Sequence, residues 1–112
     1  EAAAGILAAE AYHAGLVRTV LYRKGLTAPA LRTSADKISD ARDSLDGASD
    51  LDQGISPVNN ASNIVPADAN GIAYSRSAAQ VLNIAYLSAQ SKTAGGFFPA
   101  GVNGTIRASA AN

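Results

Sequence analysis

Cysteine, methionine and tryptophan are missing from this chain, and aromatic residues make up only 5% of it. Without cysteine there are no disulfides, no thiolate metal sites and no cysteine nucleophiles, although the absence does not identify a compartment. Charge of one sign is missing too: nine basic and nine acidic residues cancel. A neutral chain lacks the basic footprint that nucleic acid requires and the polybasic signal that draws proteins to anionic membranes. No run of uncharged apolar residues is long enough for a membrane-spanning helix. No Gly-x-Ser-x-Gly occurs, and Gly95-Gly96 lacks the spacing of a phosphate loop, so neither a serine hydrolase nor a nucleotide site is indicated.

What is present is alanine, and with it helix. The 112 residues amount to one small domain at most. Hydrophobic residues reach 47%, but much of that is alanine, which buries little area, so a large core is not expected. The fold expected is mainly α. A first helix is predicted over residues 1–24, roughly 36 Å long, with Arg23 and Lys24 complementing its dipole and Gly25 at the left-handed position after its end. It begins without a capping residue, inside a helical pattern, so the chain is expected to be a fragment or cleavage product of a longer protein. Its first two-thirds is apolar nearly all round, with Ile6, Leu7, Leu16 and Val17 set among alanines. Such a helix belongs in the middle of an assembly, and the residues that follow it are too few to surround it.

Residues 26–33 read as a connector, with Pro29 stopping any continuation. A second helix is predicted over 34–46 from Thr33 and Asp36 at capping-box spacing, with Ala35, Ile38, Ala41 and Leu45 as its buried stripe and Asp36, Lys37, Asp40, Arg42, Asp43 and Asp46 outside. Gly47 ends it. Residues 48–72 form a long Ser/Asn/Asp/Gly/Pro loop, with a short extended piece at Asn63-Ile64-Val65. A third helix is predicted over 78–88, capped by Ser77 and Gln80 and buried through Val81, Leu82, Ala85 and Tyr86. Asn103-Gly104 signals a tight turn.

The one group with chemical content is Glu10-Ala11-Tyr12-His13, which contains the only histidine. Glu10 and His13, three apart, share a helix face and are flanked there by Ile6 and Val17. Glu-x-x-His on an inward face is how ferritin-like carboxylate proteins hold two metals, and a carboxylate with an imidazole suits iron or manganese. The plain alternative is a hydrogen-bonded polar pair in a helix interface. Two side chains do not make a two-metal site, and Glu1 lies about two and a half turns from Glu10, so the remaining ligands would come from helices outside this chain. Asp50-Leu51-Asp52-Gln53-Gly54 resembles a calcium loop, but its glycine comes one residue early and no closing glutamate follows. Asn60-Ala61-Ser62 and Asn103-Gly104-Thr105 match the glycosylation acceptor, which matters only in a eukaryotic secreted protein.

These residues also carry a resemblance. Ala4-Gly5-Ile6-Leu7-Ala8-Ala9-Glu10 with Val17-Arg18-Thr19-Val20-Leu21-Tyr22, Ile38-Ser39-Asp40-Ala41-Arg42-Asp43-Ser44-Leu45, Ala73-Tyr74-Ser75-Arg76-Ser77 with Val81-Leu82-Asn83-Ile84-Ala85-Tyr86, and Gly95-Gly96-Phe97-Phe98-Pro99-Ala100-Gly101-Val102-Asn103-Gly104-Thr105-Ile106 resemble, in collinear order, the carboxy-terminal region of ferritin-like desiccation-related proteins. The resemblance implies that residues 1–25 are the last helix of a ferritin-like four-helix bundle and residues 26–112 a carboxy-terminal extension of two shorter helices and long loops. It implies a stress- or desiccation-associated structural or binding protein with no assigned catalysis, at a secreted or cell-surface location. Partners would be the remaining helices of the same protein or of another chain. Self-association, with identical chains supplying those helices, is a third arrangement. Metal binding at Glu10 and His13 is the alternative function; plant members of the family keep the glutamate and lack the histidine.

Overall fold

A computed structural model describes all 112 residues. Three helices and no strands are present, so the chain is mainly α as expected: α1 over Ala2–Thr27, α2 over Pro29–Asp43 and α3 over Ala78–Tyr86. None is long and apolar enough to cross a membrane.

The junction of α1 and α2 departs from expectation. α1 runs on through Gly25 to Thr27, and a single residue, Ala28, separates it from α2. Gly25 is helical and buried rather than left-handed. It is a glycine because the Arg32 side chain of α2 occupies the place a Cβ would take, with Arg32 Cδ 2.8 Å from that point. Pro29 starts α2 instead of holding it off, since the first position of a helix needs no N–H donor and suits proline's fixed φ. The Thr33–Asp36 box therefore does not form: Thr33 Oγ1 donates to Pro29 O at 3.3 Å, within the helix. α2 folds back on α1, and Arg32 sits over the Tyr22 ring at 5.7 Å, a favourable cation–π distance.

α2 packs with a face rotated from the one expected. Of its apolar stripe, Ala35 and Leu45 are half-buried while Ile38, 58% exposed, and Ala41 lie outside, and Asp36, Asp43 and the following Asp46 point toward the loop. Residues 48–66 lie as a strap across α1 and α2. The strap's main-chain N–H groups are drawn onto the carboxylates, which outweighs burying Ile38 and Ala41: a hydrogen bond to a charged group contributes more than one between neutral groups.

α3 begins as predicted, with both halves of the capping box present: Gln80 N–H donates to Ser77 Oγ at 3.3 Å and Ser77 N–H to Gln80 Oε1 at 2.9 Å. It ends two residues early, at Tyr86, where Leu87 adopts a left-handed conformation. The extended piece expected at 63–65 is absent. Isolated antiparallel bridges instead join Val58 to Ala61, Ala67 to Ala73 and Gly95 to Phe98. Asn103-Gly104 makes no turn hydrogen bond; the tail's tight turn is at Gly95–Phe98, closed by N–H···O bonds of 2.9 and 2.8 Å.

The buried positions are few and divided between two chemistries. Ile55, Leu82 and Tyr86 are the buried hydrophobic residues, against Ser39, Asp46, Asn83 and Ser109 among the polar ones. For a chain with this hydrophobic content, most large apolar side chains lie on the outside, Ile6, Leu7, Leu16, Val17 and Phe97 among them.

Candidate functional site

The Glu10–His13 pair lies in the bare part of α1. Every residue from Glu1 to Ala14 is exposed, so neither side chain is enclosed by this chain. No cluster of three or more His, Cys, Asp or Glu residues is gathered anywhere to hold a metal ion. Within the chain, Glu10 and His13 stand without further ligands. The Asp50–Gly54 stretch is no calcium loop either, because Asp52 is committed to arginine: Arg42 Nε lies 2.7 Å from Asp52 Oδ2, and Arg42 Nη2 donates to Oδ1 at 2.9 Å.

The best-defined polar constellation is on the other half of α1. Arg18 leaves the helix into the strap and spends its guanidinium on four main-chain carbonyls: Ile64 O at 2.9 Å from Nε, Gln53 O at 3.0 Å from Nη1, and Gly54 O and Asn63 O at 2.7 and 2.6 Å from Nη2. Burial pulls the guanidinium's pKa down and the charge of Arg42 does so less, while Asp52 and Asp36 oppose them; arginine nonetheless stays charged across the physiological range. Asp36 holds the strap from the α2 side, its Oδ1 accepting Ile55 N–H at 2.8 Å and Ser56 N–H at 3.1 Å, with Ser56 Oγ donating to Oδ2. Gly54 passes so close that a Cβ there would sit 2.9 Å from Asp36 Cα. Asp43 Oδ1 accepts Leu51 N–H at 3.0 Å and Asp52 N–H at 3.2 Å. Asn63 Nδ2 closes the strap on itself, donating to Gly54 O at 3.0 Å and Gln53 Oε1 at 3.1 Å.

A second junction ties α3 to the end of α2. Asp46, fully buried at its side chain, pairs with Arg76, and Gln80 Nε2 donates to Asp46 O at 3.0 Å. Arg76 Nη2 also lies 3.4 Å from Asp52 Oδ2, so one arginine bridges two carboxylates. Behind α3, Asn83 donates to Ser88 O at 2.7 Å and Ala110 O at 2.9 Å and accepts Ala110 N–H at 3.1 Å. Tyr86 Oη donates to Arg107 O at 2.8 Å, and Ser109 Oγ accepts Lys92 N–H at 2.9 Å and donates to Gln90 O at 3.1 Å. In the intervening loop, the Ile72 N–H and then the Asn70 N–H hold the Asp68 carboxylate below the usual range.

These arrangements hold the chain together: even the Ser56 hydroxyl, donating to Asp36, serves to fix the strap on α2. Sequence reasoning passed over the contacts of Arg18, Asn83 and Ser109, and placed Asp36, Asp43 and Asp46 on a solvated face, although Asp46 is buried. Arg18 carried a usable signal, a lone charge in an apolar helix, which must find a partner if it is covered. Asn83 and Ser109 carried none. Comparison with protein-family models, with curated protein sequences and with solved structures yields no match for this chain.

Proposed function

We propose that this chain is the carboxy-terminal part of a ferritin-like helical-bundle protein of the desiccation-related type, a secreted or cell-surface structural or binding protein of stress physiology with no assigned catalysis. One observation carries the reading. α1 leaves its amino-terminal half bare on every side, with Ile6 60%, Leu7 68% and Tyr12 77% exposed, over a length of about 20 Å. Ile38 continues the uncovered apolar surface onto α2. A helix apolar all round is stable in water only when other elements surround it. In this reading they are the other helices of a bundle, and the strap and tail are an extension outside it.

The chain has no cysteine, which makes a direct test simple. Thiols introduced singly by Ile6→Cys and Leu16→Cys are followed by maleimide labelling in the protein purified from its source, with Ala111→Cys as the exposed reference. Coverage by bundle helices slows labelling at positions 6 and 16 at least about tenfold relative to 111, since reaction then awaits local opening. Equal rates at all three positions would sink the bundle.

Metal binding is favoured by a narrower observation: Glu10 and His13 stand one turn apart on this same uncovered stretch. With a second Glu-x-x-His pair from one further helix and a single glutamate from each of two others, the site would be of the ferritin type, taking iron or manganese. Near-stoichiometric metal in the purified protein, lost in both Glu10→Ala and His13→Ala, supports it; metal-free protein after growth in supplemented medium leaves the purely structural role.

A further inference from the structure

The chain contains two Asn-Gly steps, Asn70-Gly71 and Asn103-Gly104. Asn-Gly is the dipeptide most prone to succinimide formation, because glycine presents no Cβ to hinder the attack of its own nitrogen on the preceding side chain. Asparagine is thermolabile for this reason. The two steps are identical in covalent structure, and the fold treats them oppositely.

Asn70-Gly71 is locked. Gly71 N–H donates to Asp68 O at 3.0 Å, while Asn70 N–H and Ile72 N–H donate to Asp68 Oδ1 at 2.8 and 2.9 Å. The nitrogen that would attack is tied into the turn, and its neighbours on both sides are held by one carboxylate. Asn103-Gly104 is free. Both residues are exposed, Gly104 adopts φ +109°, and no atom lies within 4 Å of where its Cβ would stand. Neither the Gly104 N–H nor the Asn103 side chain is held by a hydrogen bond from the rest of the protein. The step lies in an open arc between two anchors, Gly101 N–H on Phe98 O at 2.9 Å and Tyr86 Oη on Arg107 O at 2.8 Å.

We propose that Asn103 is a site of spontaneous deamidation in the folded protein, and that Asn70 is protected by its turn. The deprotonated Gly104 nitrogen attacks Asn103 Cγ, the Cγ–Nδ2 bond breaks, and ammonia leaves with the proton it needs taken from water. The resulting succinimide is opened by water at either carbonyl, giving aspartate or isoaspartate. The net exchange is one water consumed and one ammonia released, and the chain, which carries a formal net charge of zero, becomes anionic. The anchors on either side keep the added backbone methylene of isoaspartate within the arc.

The test is ageing of the folded protein in mildly alkaline buffer, with proteolytic peptides analysed by mass spectrometry for the amide-to-acid exchange and for isoaspartate. A parallel sample is aged in concentrated urea. A hydrogen bond that must open before attack contributes about 1 kcal/mol, so Asn103 should convert several-fold, up to about tenfold, faster than Asn70 in the folded protein. The two rates should converge in urea, where the turn is gone. Aged protein should keep its thermal midpoint. Equal rates in the folded protein, or conversion led by Asn70, would overturn the proposal. So would a rate ratio that urea leaves unchanged, because the difference would then belong to the flanking sequence and not to the fold.

Discussion

The two halves of α1 share one continuous backbone, yet the fold uses them in opposite ways. From Gly15 onward one face of the helix is engaged, through Arg18 in the strap, Tyr22 under Arg32 and Gly25 against α2, while Leu16 and Val17 on its other side stay exposed. Up to Ala14 it touches nothing that covers it. The engaged half is held largely by polar contacts, and the idle half is almost purely apolar. Apolar surface alone recruits no local loop here; carboxylates and one guanidinium do, because they satisfy main-chain groups that a loop must otherwise leave to water. Under the function proposed above, the apolar half is the part that the other bundle helices would cover.

That contrast can be broken most severely at Arg76. Arg76→Ala leaves the Asp46 carboxylate buried without its counter-ion, and urea unfolding should show a loss of about 4 kcal/mol, the tie between α2 and α3 failing first in hydrogen exchange. Arg18→Ala comes next, at about 3 kcal/mol, with exchange protection lost across residues 51–65. Arg18→Lys should recover only part of it, since an ammonium cannot reach four carbonyls arranged around a planar fork. Ser77→Ala removes one half of the α3 cap and should cost about 1 kcal/mol by the same measurement. At the other extreme, Ile6→Ala should change the stability of this chain by less than about 0.5 kcal/mol. A large effect there would mean that the idle half is engaged after all, and the contrast would fail.

The helices were legible in the sequence to different depths. α3 was readable down to its cap because Ser77 and Gln80 act locally, within one turn. The start of α2 was misread because Pro29 has two opposite meanings, terminator and first residue, and only the close passage of Arg32 over Gly25 selects the second. The facing of α2 was misread for a physical reason of wider use. Helical patterning assumes that the apolar stripe finds the nearest core, whereas here Asp36 and Asp43 bind the strap and leave Ile38 and Ala41 of that stripe outside. The uncovered state of residues 2–14 was legible, because the expectation rested on how little sequence remained to surround them. Glu10 and His13 lie on α1 with no further ligand beside them, since other ligands do not follow from two side chains.

The divided interior around Ser39, Asp46, Asn83 and Ser109 has a calorimetric consequence. Apolar groups hydrated on unfolding raise the heat capacity and polar groups lower it. An ordinary domain of this length gains about 1.5 kcal/mol/K, and a chain with so many polar atoms at its best-buried positions gains less. Its free energy of unfolding should then vary gently with temperature, falling slowly on warming and on cooling alike, a shallow curve that calorimetry would read directly.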